Sequence, residues 1–305
     1  MRRRRHWLLI IALAAGFVLF GPWTGRAAAM QGIGISPTSQ EVTVVPGAKA
    51  TGTITVINDG DTDVQYKLYA SDYRVSGENY EGNFTSQAAE ARVSPVTWFT
   101  LPAGTFTVKA RQQVEQPYTI SVPANATVGG HYGAVFVQTI PPPAKSGAQV
   151  ARIDRLASIF YLAVGGDLKT SGRIASFRVP LIQALSPIDA ALVMTNDGNV
   201  HFMTDITAQL STPFGKVGRP VTVRGEVLPA TSRRFKLELP TDAPLGIYNV
   251  KASVSYAGKI ERVDQWMLLM PKLTFIILSA TLLLIIAISI WFTGRKLRRR
   301  NRPLS

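Results

Sequence analysis

From about residue 50 to residue 256 the apolar side chains keep falling at every second position, a period that suits a half-buried strand and not an amphipathic helix. Ile54 and Val56 alternate with threonines, and Val64, Tyr66, Leu68 and Ala70 continue the pattern. Tyr118, Ile120 and Val122 repeat it, as do Tyr132, Ala134 and Phe136. The second half offers Val200, Phe202, Thr204, Ile206, Ala208 and Leu210, then Phe235, Leu237 and Leu239, then Tyr248, Val250, Ala252, Val254 and Tyr256. Leu156–Val164 is more continuously apolar and is closed by Gly165-Gly166-Asp167. No stretch between residues 30 and 271 sustains a helical period. The alternation dictates an all-β body.

That body is written twice. "PANATVGGHY" at 123–132 and "PTDAPLGIY" at 240–248 each carry a proline, an alanine three residues on, a glycine three further, and a tyrosine opening the next alternating run. Pro123, Gly129 and Tyr132 thus match Pro240, Gly246 and Tyr248, with the two prolines 117 positions apart. A strand ending at proline and a Gly-to-Tyr restart suit the corner of an immunoglobulin-like sandwich, where a tyrosine hydroxyl bonds back across the turn. The spacing is about one such domain. Two tandem sandwiches are expected, over 30–168 and 172–268. The Pro141-Pro142-Pro143 run with the Ala-Lys-Ser-Gly after it reads as a long loop inside the first.

A second repeat lies in Asn58-Asp59-Gly60 and Asn196-Asp197-Gly198, each between two alternating runs. Asp-Gly tolerates the positive φ angles of a two-residue hairpin, so the sequence predicts a hairpin turn at both places. A calcium loop needs a glycine at its sixth position and a glutamate at its twelfth. Counting from Asp59, those positions hold Val64 and Ala70, and the second copy replaces the acids by Asn199 and His201.

The formal charge of +14 suggests nucleic acid until its distribution is read. Arg2–Arg5 and Arg26 stand at one end, and six basic residues between Arg295 and Arg302 at the other. The middle, with all the acidic residues, is only about +3. No nucleic-acid partner is expected. Arg2–Arg5, the apolar run Trp7–Phe20 and Ala27-Ala28-Ala29 form an export signal over 1–29. Leu273–Phe292 is uncharged and long enough at ~1.5 Å per residue to cross the bilayer. The basic run after it, in the tail 293–305, places that tail in the cytoplasm and the body outside. A cysteine-free exported chain must rely on its cores alone.

Chemistry is sparse. Outside the signal there are two histidines, His131 and His201, expected in different sandwiches and so not a metal pair. Catalytic and phosphate-binding motifs are missing. Glu78 and Glu81 flank Tyr80 in a Gly/Asn-rich loop, a solvated setting with nothing to raise a catalytic carboxyl. Asn83-Phe-Thr and Asn125-Ala-Thr match the short glycosylation pattern. The reading is a non-enzyme without cofactor or metal. Tyr73, Tyr80 and Trp98, in a stretch rich in Ser, Gly, Asn and Thr, are the candidate ligand-binding rings, able to stack on sugar or anchor a protein.

The opening "GISPTSQEVTVVPGAKATGTITVIND", the P-x-x-A-x-x-G corner with its tyrosine, the terminal span and the basic tail together resemble the WxL-interacting protein family of Gram-positive surface proteins. "NDGNVH" and "VLPATSRR" are similar to stretches in such anchored proteins. The resemblance implies a peptidoglycan-binding immunoglobulin-like domain followed by a second sandwich that contacts a partner protein. The expected function is a single-pass surface protein binding cell wall or other surface proteins. The alternative is an envelope assembly factor, a chaperone that pairs a strand edge with an exported client.

Overall fold

The computed structural model describes residues 32–85, 90–142, 152–184, 186–212, 214–270 and 272–300. The expected export signal lies outside these residues, as do 143–151 of the loop and 301–305 of the tail.

Two immunoglobulin-like β-sandwiches follow one another. In the first, one sheet runs β1 (Ile33–Ser36), β3 (Lys49–Asn58), β8 (Gln113–Ser121), β6 (Phe99–Thr100). The facing sheet runs β2 (Ser39–Val44), β10 (Arg155–Val164), β9 (Gly129–Ile140), β4 (Val64–Ser76), β5 (Glu81–Thr85), with β7 (Phe106–Val108) also on β4. Strand β2 pairs in parallel with β10, Glu41 opposite Tyr161; β9 pairs antiparallel with β10 and sets Tyr132 opposite the same Tyr161. The second sandwich has a sheet of β11 (Gly172–Arg178), β13 (Ile188–Asn196) and β16 (Ser232–Leu239). Against it stand β12 (Ile182–Gln183), β18 (Lys259–Leu269), β17 (Gly246–Tyr256), β14 (Phe202–Thr212) and β15 (Gly215–Val227).

The alternating residues are the cores. Ile54, Trp98, Ile120, Phe160 and Leu162 pack together in the first sandwich, with Val56, Tyr66 and Val137 in an adjoining cluster. Leu192, Met194, Ile206, Leu210, Leu237 and Val254 fill the second.

Both Asn-Asp-Gly stretches are turns, but neither makes a hairpin. Strands β3 and β4 lie in opposite sheets, as do β13 and β14, so each stretch carries the chain across the sandwich. Asp59, Gly60, Asp197 and Gly198 all keep negative φ. The asparagine does the turning. Asn58 Oδ1 accepts from the Gly60 N–H at 2.9 Å, and Asn196 Oδ1 from the Gly198 N–H at 2.8 Å. Each amide nitrogen donates to carbonyls on both sides of the crossing: Asn58 to Thr62 and Lys109, Asn196 to Val200 and Val227. Both asparagines are buried, closing the end of the sandwich where backbone carbonyls would otherwise stand unpaired. The two-residue hairpin with positive φ occurs instead at Ala257-Gly258, between β17 and β18.

The corners also differ. Tyr248 Oη donates to the Pro244 carbonyl at 3.0 Å, the bond the corner motif predicts. Tyr132 does not bond across its corner; its hydroxyl reaches the second sandwich. In both copies the tyrosine ring lies over the glycine two residues before it, Gly130 and Gly246, where a Cβ would crowd the ring. Gly129, matched to Gly246 from the sequence, serves the junction: its missing Cβ would fall 2.6 Å from the Asn199 carbonyl oxygen.

After β18 the Met270 N–H donates to the Gln183 carbonyl at 2.8 Å, and α1 (Lys272–Arg300) begins two residues further on. Within it Leu273–Thr293, with mean hydropathy 2.7, is long and apolar enough to cross a membrane.

Candidate functional site

Chemistry-bearing side chains collect where the two sandwiches meet. The row Glu41–Tyr161–Tyr132 crosses β2, β10 and β9 on one sheet face of the first sandwich. The second sandwich answers with His201, just before β14, and with Glu226 on β15 and Arg233 on β16. The His201 ring packs on Tyr161 and Tyr132 at centroid distances of 5.2 and 5.5 Å. Tyr132 Oη accepts from the His201 backbone N–H at 3.1 Å and lies 3.3 Å from its Nδ1. Ligating atoms of Glu41, His201 and Glu226 all fall within 4.8 Å of one another.

The β4–β5 hairpin seals one side. Its tip puts Tyr80 at φ 58°, and the phenol oxygen accepts from the Leu228 N–H at 2.6 Å and meets Thr231 Oγ1 at 2.5 Å. Glu78 takes the Arg234 backbone N–H on its carbonyl at 2.7 Å and pairs with that guanidinium through its carboxylate. Arg233 lies over the Tyr80 ring at 4.7 Å, and its Nη1 donates to the Glu226 carbonyl at 2.7 Å. Gly225 makes room for it, since a Cβ there would stand 2.6 Å from Arg233 Nη1. Below the hairpin Tyr73, Tyr161 and Leu228 form a small apolar cluster shared by both sandwiches.

The other side is held by the second Asn-Asp-Gly stretch. Asn199 donates its N–H to the Lys169 carbonyl at 3.0 Å, and its Oδ1 accepts from the Lys169 N–H at 2.7 Å. Its own carbonyl accepts from the Gly130 N–H at 2.8 Å. One loop thus closes the second sandwich, grips the linker and touches the first.

These placements correct the sequence expectation for the rings. Trp98 is 1% exposed, packed on His131, with its indole N–H donating to the Ala91 carbonyl at 2.6 Å. Tyr73 is 8% exposed, stacked on Phe84 at the junction. Tyr80 has its hydroxyl bonded across that junction. Second-domain residues pack against the two tyrosines: Tyr73 is buried, and Tyr80 is half-buried with Arg233 over its ring. His131 is a core residue bonded to the Val93 and Thr127 carbonyls, not a partner of His201. Glu78 is committed to Arg234. Glu41, Glu226 and Arg233 were not among the sequence candidates. Glu226 shares its strand face with Thr222 and Arg224, which reads as solvent-facing until a second domain covers it.

Burial pushes the Glu226 carboxyl up to about 7; the charge of Glu41 adds to the rise, and Arg233 and Arg224 oppose it. Burial holds His201 below its usual range, against the pull of Glu41. The raised acid contributes stability that is complete below its free value of 4.5 and is lost as pH rises through about 7. The depressed base loses stability as pH falls below 6.5. In chelator-treated protein the thermal midpoint should therefore rise between about pH 8 and 6.5, and Glu226→Gln should flatten that segment. A midpoint unchanged over this window in the parent chain would show that the pair does not control the junction.

No family model matches the chain, and no curated protein does. Among solved structures it is similar to the class 5 fimbriae chaperone CfaA, at 11% identity over 77% of this chain and 99% of that one, TM-score 0.40. It is also similar to a chain of the CsuC–CsuE chaperone–tip adhesion subunit pre-assembly complex of Acinetobacter baumannii (15%, 79% and 99%, TM-score 0.39). The E. coli chaperone DraB matches at 14% over 78% of this chain and 97% of its own, TM-score 0.38.

Proposed function

We propose that this is a membrane-tethered envelope protein whose body pairs a strand edge with a segment of another exported protein. The basic residues after the span favour a cytoplasmic tail and an outward body. One observation carries the choice of partner. Strand β10 runs four residues, Arg155–Ser158, beyond the point where β2 stops covering it, and among the described residues no strand lies on that side. Ser158 Oγ is buried there without a hydrogen-bond partner.

Three other long edges are defended. Strand β15 carries Pro220, which removes a donor, and Arg219; β16 carries Arg234, Lys236 and Glu238; β18 carries Lys259, Glu261, Arg262 and Asp264. The β10 stretch has one charge, Arg155, and then Leu156-Ala157-Ser158. Its uncharged side chains suit it as a template for an incoming strand. Ring stacking on peptidoglycan finds less support, because Trp98 and Tyr73 are buried and Arg233 lies over Tyr80.

A photo-crosslinking residue at Ala157 in the full chain, expressed in cells, should capture extended, apolar-alternating segments of exported proteins. The same residue at Arg262 on β18 should capture far less. Equal capture at both positions, or attachment at 157 to glycan only, would overturn the reading.

A further inference from the structure

We infer that Glu41, His201 and Glu226 form a divalent-cation site that pins the two sandwiches together, with zinc the best-suited ion. Glu41 comes from the first sandwich, and His201 and Glu226 come from the second. A bound ion would therefore join elements that the chain alone connects only through the 165–171 linker and the surrounding hydrogen bonds.

The first argument is the unmet demand of Glu226. Glu226 is only 8% exposed, and its Oε2 has no hydrogen-bond partner apart from the carboxyl of Glu41 beside it. A second carboxylate, Glu41, lies within 4.8 Å. A cation placed between the two carboxylates would meet both, one from each sandwich. Arg233 opposes the carboxylate charge from a distance, but its Nη1 is spent on the Glu226 backbone carbonyl and its plane lies over Tyr80 and Phe235.

The second argument is the histidine. Tyr132 holds the Nδ1 edge of the ring, which orients it and leaves Nε2 free to ligate, the arrangement that fixes a metal-binding imidazole. One imidazole with two carboxylates selects a borderline ion such as zinc over magnesium or calcium.

The geometry needs little adjustment. Bonds of about 2.0–2.2 Å to one tetrahedral zinc place ligand atoms about 3.4 Å apart. Glu41 is exposed on an edge strand and can close the remaining gap by changing rotamer. Arg233 is the opposing charge and limits the affinity.

The full-length chain in detergent micelles, stripped with chelator, should be titrated with zinc chloride at pH 7.5 by calorimetry. One zinc per chain should bind saturably, raise the thermal midpoint, and bind at least about tenfold more weakly in Glu41→Gln, Glu226→Gln and His201→Ala. Glu41→Gln changes an exposed side chain, so its folding is not at issue. Glu78→Gln, at the same junction but paired with Arg234, should bind zinc as the parent does. Absence of saturable uptake would show that the three groups hold no zinc, and uptake unaffected by Glu41→Gln would place the zinc elsewhere. Either result overturns the site, and neither bears on the strand-edge reading.

Discussion

Asn196→Asp should unfold the second sandwich while leaving the first intact. The substitution keeps the shape and converts a donor into an acceptor. The Asn196 amide nitrogen donates to the Val200 and Val227 carbonyls at 2.9 and 2.8 Å, deep inside the protein. An aspartate there faces two carbonyl oxygens with a carboxylate that no cation balances. Leaving a buried charge unpaired costs about 3–5 kcal/mol, a large part of the ~5–15 kcal/mol that holds a domain folded. Hydrogen exchange resolved along the chain should show protection lost across β13, β14 and β17 and retained in β3 and β8. Asn58→Asp should give the mirror image, since Asn58 makes the equivalent bonds in the first sandwich. Parent-like protection in Asn196→Asp would show that the crossing tolerates losing its staple.

Gly198→Ala should act on the joint and not on either body. A Cβ at this position would stand 2.1 Å from the Lys169 carbonyl oxygen and 2.9 Å from the Ser171 nitrogen. Both are backbone atoms, so no side chain can turn away, and the linker must move. The Asn199 bonds to Lys169 move with it. The expected cost is about 1–3 kcal/mol, the range for a buried steric misfit. Proteolysis at 167–171 should become fast, and solution scattering should show a wider spread of inter-domain distances, while exchange within each sheet stays slow. A linker as resistant as the parent's would refute the account of Gly198.

The strands were legible because alternation is a local property: Ile54, Ile120, Leu192 and Val254 declare their faces without reference to any partner. The crossings were legible only in place. Asn-Asp-Gly marks a turn, but whether its flanking strands pair with each other depends on strands far along the chain. In both copies the partners were β8 and β9, or β16 and β17, and the asparagine side chain was recruited into the gap. Ala257-Gly258 made the hairpin instead, with less suggestive residues. Tyr132 and Tyr248 share a motif and differ in use, because only Tyr132 has another domain within reach. The same cause hid Glu226, whose carboxyl lies beside Glu41 of the first sandwich. A single sequence carries no mark of a surface that a second domain will cover.

The short step from β18 to α1 sets the mechanics of the whole body. Met270 is fastened to Gln183, so Pro271 is the one residue between a bonded strand edge and the first residue of the helix. At ~3.5 Å per residue there is no slack to speak of. If the helix spans a bilayer, a body joined to it by so short a step stands close to the membrane surface. In that arrangement a pull on the body reaches the helix through β18.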